Sequence, residues 1–75
     1  MSVSERIKGL REDWEPKMNQ TQLGVIMGVS QKTIYNLETG RNEPDMEMLR
    51  KYGLYLNVSA DYILGLINEP TPLKK

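Results

Sequence analysis

The chain places a glycine between two short helical patterns, in the stretch MGVSQKTIYN at residues 27–36. Asn19, with Gln22 three residues later, forms the capping-box pattern that opens a helix. Gly28 can adopt the left-handed conformation that ends this helix at little cost. Ser30 can then cap a second helix. The spacing therefore predicts two helices joined by a three-residue turn, which is either an ordinary helical hairpin or a helix-turn-helix.

Three further helices are predicted around this pair. The first ends near Trp14, because Pro16 disfavours helical geometry in the residue before it. A fourth spans about 46–56, and a short fifth is stopped by the prolines at 70 and 72. The side chains expected to cap these three helices are Ser4, Asp45 and Ser59. Since the sequence shows no strand pattern, we expect an all-α fold of five short helices.

The apolar side chains recur at helical spacing and predict one core. They are Val3, Ile7, Leu10 and Trp14 on the first helix, Leu23 and Met27 on the second, Ile34 and Leu37 on the third, Met46, Leu49, Tyr52 and Leu56 on the fourth, and Tyr62, Ile63, Leu66 and Ile67 on the fifth. Trp14 is interpreted as closing this core, not as a platform for stacking. A chain of 75 residues has room for one domain. We assign that domain to residues 1–68 and a flexible tail to 69–75.

Composition limits the chemistry available to the chain. It has no cysteine and no histidine, so a metal site would need carboxylates alone, and no such cluster appears in the sequence. These absences also leave no catalytic constellation, and we expect no enzymatic activity, metal, cofactor or small-molecule ligand. No segment approaches the length of a membrane span, and the start lacks an apolar signal-peptide region. We expect a soluble cytoplasmic protein without membrane contact.

The third predicted helix has a polar face without acidic residues. At about 100° per residue, its apolar side chains Ile34 and Leu37 fall within about 60° of each other. The opposite arc, about 140° wide, holds Gln31, Lys32, Tyr35 and Asn36. Gln and Asn can pair with adenine and Lys can reach the acceptors of guanine, whereas a carboxylate would repel phosphate. This face favours DNA binding, although the net charge is zero and nucleic-acid-binding domains are usually basic.

The stretch NQTQLGVIMGVSQKTIYNLETGRNEP resembles the helix-turn-helix of the phage repressor, Cro and XRE family. RIKGLRE is similar to the family's first helix, LETGRNEP to its Glu-Asn-Gly-Lys-x-x-Pro ending, and MLRKYGLYLNVSADYILGL to its last two helices, so the resemblance covers about residues 4–66. It implies a compact, five-helix, lambda-repressor-like domain. The chain departs from the family pattern in two places. Gly24 stands where alanine is usual, and DWEPK lengthens the first connection.

The resemblance also implies roles for individual residues. The base edges of DNA would be contacted by Gln31, Lys32, Tyr35 and Asn36. The phosphates would be contacted by Gln20, Arg41 and Asn42, and a structural ion pair would join Arg11 to Glu38. The implied function is that of a sequence-specific regulator of transcription, a repressor, bound to double-stranded DNA. The implied assembly is a homodimer, formed mainly on DNA, whose recognition helices lie about 34 Å apart on a near-palindrome.

Some apolar residues are open to two interpretations. Leu64, Leu66 and Ile67 exceed what one face of so short a helix can bury, and they are interpreted as the dimer contact. Val25 and Ile26 would be partly buried beneath the first helix or the long loop, or would form a contact patch for another protein. Met48 and Tyr55 would widen the core or belong to the dimer surface. The alternative function is a protein-binding module of the same fold, of the antitoxin or anti-repressor type.

Overall fold

The computed structural model describes residues 2–70, which form five α-helices and no strand. The helices are α1 (Val3–Glu12), α2 (Gln20–Met27), α3 (Gln31–Glu38), α4 (Met46–Leu56) and α5 (Ala60–Leu64). The expected all-α fold of five helices is confirmed. The tail predicted at 69–75 lies outside the described residues from residue 71 onward. None of the helices in the described part of the chain combines the length and apolarity needed to cross a membrane.

Four of the five predicted N-caps are present. Asn19 and Gln22 form the reciprocal capping box of α2. The side chains of Ser30, Asp45 and Ser59 each accept a hydrogen bond from the backbone N–H group three residues later. These caps satisfy N–H groups that a helix leaves free in its first turn. They therefore fix where α2–α5 begin.

The predicted cap of α1 is wrong, because Ser2 caps this helix in place of Ser4. The backbone N–H of Ser2 donates to Glu5 Oε1 at 2.9 Å, and the backbone N–H of Glu5 donates to Ser2 Oγ at 3.2 Å. The hydrogen bond from the backbone N–H of Ser2, and to a lesser degree one from the Ser2 hydroxyl, lower the pKa of the Glu5 carboxyl. The helix also ends two residues earlier than expected, at Glu12, and not near Trp14.

The core contains most of the predicted apolar side chains, with two corrections. On α4, Met46 is the first residue of the helix and is 81% exposed, whereas Met48, one turn before Tyr52, is buried. Trp14 lies half-buried against the core, as expected. The largest fully buried side chains are Ile7, Leu23, Met27, Ile34, Tyr52 and Ile63. Tyr55 is exposed and does not widen the core.

The second correction concerns the end of α5. Gly65 has a φ of +86° and ends the helix at Leu64, so Leu66 and Ile67 follow the helix and are not part of it. Leu66 is 72% exposed and Ile67 is 37% exposed, and neither belongs to the buried core. A left-handed residue directs the chain away from the helix axis, which removes both side chains from the face that carries Tyr62 and Ile63.

Two glycines shape the turn between α2 and α3. Gly28 has a φ of +72°, the left-handed conformation expected of it. The backbone N–H of Val29 donates to the carbonyl oxygen of Gly24 at 2.9 Å, which draws the turn back onto α2. A β-carbon at residue 24 would lie 2.7 Å from the carbonyl oxygen of Val29. The geometry of this turn therefore depends on glycine at both positions.

The partial burial expected for Val25 and Ile26 is wrong. Val25 is 79% exposed and Ile26 is 47% exposed. They border an apolar groove whose other side is formed by the loop after α1, including Trp14, Pro16 and Met18. Because this loop turns Trp14 and Met18 towards the core, it does not extend over the outer side of α2.

A buried arginine links the two ends of the fold. Arg6 of α1 is 7% exposed, and its Nη1 donates to the carbonyl oxygens of Tyr62 at 2.9 Å and of Ile67 at 2.8 Å. Its guanidinium carbon also lies 4.5 Å from the centre of the Tyr62 ring, at cation–π distance. Arg6 therefore holds the segment after α5 against α1, a role that the sequence pattern did not indicate.

Candidate nucleic-acid interface

The outer face of α3 is polar and free of acidic side chains. Gln31, Lys32 and Tyr35 are exposed and Asn36 is half-buried, while Ile34 and Leu37 are in the core. The only carboxylate of α3 belongs to Glu38, which is buried. The four residues expected to contact bases therefore lie together on one accessible face of α3. The one negative charge of this helix is buried and is not part of that face.

Glu38 is held in the interior by Arg11 of α1. Arg11 donates from Nε to Glu38 Oε2 at 2.7 Å and from Nη2 to Glu38 Oε1 at 2.8 Å, a bidentate ion pair. The side chain of Glu38 is 1% exposed and that of Arg11 is 12% exposed. The hydrogen bonds to Glu38 raise the pKa of Arg11. Nη1 of Arg11 also donates to the carbonyl oxygen of Met18 at 3.1 Å, so one guanidinium connects α1, α3 and the loop before α2.

Gln20 and Gln31 extend this ion pair to the surface. Gln20, the first residue of α2, donates from Nε2 to Glu38 Oε1 at 3.1 Å. Gln31, the first residue of α3, donates from Nε2 to Gln20 Oε1 at 2.7 Å. A residue expected to contact phosphate and a residue expected to contact a base are therefore hydrogen-bonded to each other. The result is a continuous chain of side chains from Arg11 to Gln31.

The loop after α3 brings the other expected phosphate contacts close to the same face. Arg41 and Asn42 are exposed and border a cleft with Asn36. The backbone N–H of Asn42 donates to the carbonyl oxygen of Asn36 at 3.1 Å, which fixes the loop to the end of α3. The carboxylates of Glu43 and Asp45 border the same cleft and offset the charge of Arg41. Asp45 is engaged as the cap of α4, where it accepts from the backbone N–H of Met48 at 2.8 Å.

The three residues interpreted as a dimer contact form an exposed apolar segment at the end of the domain. Leu64, Leu66 and Ile67 are 49%, 72% and 37% exposed. The backbone N–H of Leu66 donates to the carbonyl oxygen of Asp61 at 2.8 Å, so the segment stays close to α5. Within residues 2–70, no group of three or more side chains could hold a metal ion.

The sequence matches a known family over most of its length. The match to the helix-turn-helix family spans residues 7–63, from within α1 to within α5. The chain belongs to the helix-turn-helix family. The resemblance noted in the sequence is thereby confirmed, and α2 and α3, with the turn at Gly28, are its helix-turn-helix unit. No curated protein matches this helix-turn-helix chain.

The solved structures that are similar to this helix-turn-helix domain include two of the P22 c2 repressor. A crystal structure of the P22 c2 repressor in complex with a synthetic operator matches with a TM-score of 0.76 and 34% identity, covering 85% of this chain and 94% of that one. The solution structure of the DNA-binding domain of the P22 c2 repressor matches with a TM-score of 0.73 and 32% identity, covering 84% of this chain and 80% of that one. The expected repressor-like fold is therefore confirmed.

The sequence analysis predicted the members of the candidate interface but not the contacts between them. It placed Gln20 and Gln31 as separate contacts to DNA, and it paired Glu38 with Arg11 alone. The contacts of Gln20 with Glu38 and Gln31 join residues 18 and 11 positions apart. Only the approach of α2 to α3 brings these three side chains together. The signal present in the sequence is that a Gln directly follows the cap of both helices, at Gln20 and Gln31.

Proposed function

We propose that this helix-turn-helix domain is a transcriptional regulator that binds specific double-stranded DNA with α3 in the major groove. The observation that carries the proposal is the polarity of α3, whose outer face has amide, ammonium and phenol groups while Glu38, its one carboxylate, is buried against Arg11. Such a face can approach phosphates without repulsion and can offer hydrogen bonds to base edges. The similar P22 c2 repressor was crystallised in complex with an operator.

In this proposal the outer residues of α3 read bases. Gln31, Lys32 and Asn36 contact base edges, and Tyr35 contacts a thymine methyl group or a phosphate at the edge of the groove. Gln31 is in the first turn of α3, which is the part of a recognition helix that contacts base edges. The exposure of Gln31 and Lys32 at the start of α3 supports the assignment of these two side chains to base edges.

Two other regions fix the position of the domain on the duplex. Gln20 is at the start of α2, where free backbone amides and the helix dipole favour a phosphate. Arg41 and Asn42 contact phosphates from the loop that is attached to Asn36. Contacts to phosphates carry no sequence information, so these residues set the register of α3 and leave the reading of bases to its outer face.

The proposed assembly is a dimer that represses transcription by occupying a near-palindromic operator. Recognition helices about 34 Å apart would then contact successive major grooves on one side of the duplex. The exposed segment of Leu64, Leu66 and Ile67 supports this arrangement, because it offers apolar surface outside the core of the domain. A small segment is consistent with a weak dimer that forms mainly on DNA.

The test is a selection of binding sites from random double-stranded DNA. Wild type should enrich one motif with two-fold symmetry, and Gln31→Ala should lose the preference at particular base pairs of that motif. Arg41→Ala serves as the matched control, since loss of a phosphate contact should weaken all sites together without altering the motif. Identical motifs from wild type and Gln31→Ala would remove Gln31 from the base-reading set.

A second candidate function is that of a protein-binding module of the same fold. The exposure of Val25 and Ile26 beside the apolar groove is the observation that favours it. The same selection separates the two functions. A folded wild-type sample that enriches no motif at low salt would contradict the DNA-binding proposal and favour the second function.

A further inference from the structure

We propose that Glu38 determines which base Gln31 prefers, although Glu38 is buried and does not touch DNA. The inference rests on the proposed DNA-binding function and adds to it a positioning residue. Glu38 acts through Gln20, whose side-chain amide lies between the carboxylate of Glu38 and the amide of Gln31.

The physical basis is the two-ended character of a side-chain amide. A glutamine amide has a donating NH2 group and an accepting oxygen of nearly the same shape, so its partners decide which end points where. The carboxylate of Glu38 accepts from Arg11 Nε and Nη2 and also from Gln20 Nε2. A carboxylate paired with an arginine accepts hydrogen bonds and donates none. Gln20 must therefore direct its NH2 group, and not its oxygen, towards Glu38.

This orientation is passed on to Gln31. Because the NH2 group of Gln20 faces Glu38, its Oε1 faces α3 and accepts from Gln31 Nε2 at 2.7 Å. One N–H of Gln31 is thereby engaged inward. The second N–H and Oε1 of Gln31 stay available to the outside, so the exposed residue offers one donor and one acceptor.

The hydrogen-bond donor and acceptor that Gln31 presents to DNA can distinguish adenine from guanine. Adenine presents an acceptor at N7 and a donor at N6 in the major groove, which matches one donor and one acceptor on Gln31. If Gln20 were turned round, its NH2 group would donate to Gln31 Oε1, and Gln31 would present chiefly donors. Two donors match the N7 and O6 acceptors of guanine. Glu38 therefore selects the pattern that fits adenine.

Burial makes this selection permanent in the free protein. The side chain of Glu38 is 1% exposed and is fixed by two hydrogen bonds from Arg11, so it cannot rotate towards water to release Gln20. The amide of Gln31 is then oriented before DNA arrives, and binding does not require it to be reordered. Orientation in advance reduces the entropy lost on association.

The decisive variant is Glu38→Gln, which keeps the shape of the side chain but adds a donor. It allows Gln20 to take either orientation. In a selection from random DNA, the base pair whose preference disappears in Gln31→Ala should change in Glu38→Gln. There the preference for adenine over guanine should fall by about fivefold or more, which is the lower end of what one bidentate contact supplies. The preferences at all other positions should remain.

Arg11→Lys is the matched control for a purely structural effect. It weakens the bidentate pair but leaves a carboxylate that only accepts, so the motif should remain that of wild type even where stability falls. A second control removes the link. In a Gln20→Ala background, Glu38→Gln should cause no further change in base preference. If it still changes the motif in that background, or if Arg11→Lys changes the same base pair, the proposed link is wrong.

A measurement on free wild-type protein covers the case in which Glu38→Gln does not fold. In an amide-correlated NMR spectrum, one side-chain N–H proton of Gln31 should exchange slowly with water, and Gln20→Ala should abolish this protection. A freely exchanging Gln31 amide in wild type would overturn the inference. If wild type enriches a motif that Gln31→Ala alters and Glu38→Gln does not, the inference alone fails. If wild type enriches no motif, the proposed function fails and the inference fails with it.

Discussion

The carbonyl oxygen of Val29 lies directly against Gly24. A β-carbon on residue 24 would be only 2.7 Å from this oxygen. Real β-carbons essentially never approach a backbone oxygen so closely, and a backbone atom cannot rotate away as a side chain can. The same carbonyl belongs to the residue whose N–H is bonded to Gly24. The contact therefore sets how closely α3 follows α2.

Gly24→Ala should destabilise the domain, although alanine is the better helix former. The gain in helix propensity, about 1 kcal/mol, is outweighed by overpacking against backbone, which typically costs about 1–3 kcal/mol. Gly9→Ala is the matched control, because a β-carbon there meets nothing within 4 Å and should stabilise α1 by about 0.5–1 kcal/mol. Urea unfolding measures both. Equal stabilisation by the two substitutions would show that the turn adapts freely.

Arg11→Met should lower the free energy of unfolding by about 3–5 kcal/mol, because it leaves the carboxylate of Glu38 buried without its cation. The control is the pair of Arg50 and Glu47 on α4, whose side chains are 66% and 61% exposed. Arg50→Met should cost no more than about 0.5 kcal/mol, as is usual for exposed pairs one helical turn apart. If Arg11→Met unfolds at the same urea concentration as wild type, the buried pair does not stabilise the fold.

Tyr52→Phe should be at least as stable as wild type. The hydroxyl of Tyr52 is buried, and within residues 2–70 no group forms a hydrogen bond with it. Removing an unpaired buried hydroxyl avoids a cost of about 1–3 kcal/mol. Tyr55→Phe on the same helix, where the ring is 49% exposed, should change stability by less than about 0.5 kcal/mol. A clear loss of stability in Tyr52→Phe would mean that this hydroxyl does have a partner.

The pH dependence of the same variant is a further readout. Burial, and to a lesser degree the charge of Glu38, raise the pKa of Tyr52 above 10.0. As the pH rises, the hydroxyl of Tyr52 therefore loses its proton in the unfolded chain before it does so in the folded protein. The stability that the protonated hydroxyl contributes is fully present below pH 10.0 and is lost as the pH rises above it. Wild type should therefore lose stability more steeply than Tyr52→Phe above that pH.

The affinity for DNA should depend only shallowly on salt. The chain has ten basic and ten acidic residues, and Lys32 and Arg41 are the cations that we assign to DNA, so few counterions would be released on binding. Arg41→Ala should reduce the slope of log affinity against log salt by about 1 while leaving the preferred motif unchanged. Fluorescence anisotropy between low and moderate salt measures this slope. A slope as steep as that of a strongly basic protein would contradict the small number of phosphate contacts.

Leu66→Lys should abolish cooperative binding to a complete operator and leave the fold intact. Leu66 is 72% exposed and lies after α5, so lysine is tolerated in the monomer but disfavoured in an apolar contact between two copies. Leu54→Lys makes the same change at a leucine of α4 that is 66% exposed, and it should keep the cooperativity. Unchanged cooperativity in a folded Leu66→Lys sample would place the dimer contact elsewhere.

Features that depend on neighbours in sequence could be predicted correctly. Asn19, Ser30 and Asp45 cap their helices as expected, because a cap needs only a short polar side chain and the N–H groups of the next turn. The cap of α1 was assigned to the wrong serine although the signal was present. Ser2 has a glutamate three residues later and Ser4 does not. In the same way, Gly65 marked the end of α5 before Leu66.

Features that depend on the path of a loop could not be predicted. Whether Val25 and Ile26 are covered depends on where the loop after α1 runs, and its residues have no helical period to indicate a direction. The contact of Gln20 with Glu38 likewise requires the packing of α2 on α3. Periodicity finds side chains that face the core, but hydrogen bonds between polar groups at the edge of the core leave no repeated pattern in the sequence.

The bonds of Arg6 also have a consequence for the order in which the domain forms during synthesis. Its guanidinium is bonded to the carbonyl oxygen of Ile67, 61 positions further along the chain. At about 5–20 residues per second, roughly 3–12 s separate the synthesis of these two residues. For that time the nascent α1 lacks the partner that holds the buried charge of Arg6. The contact between α1 and the segment after α5 is therefore among the last in the domain to form.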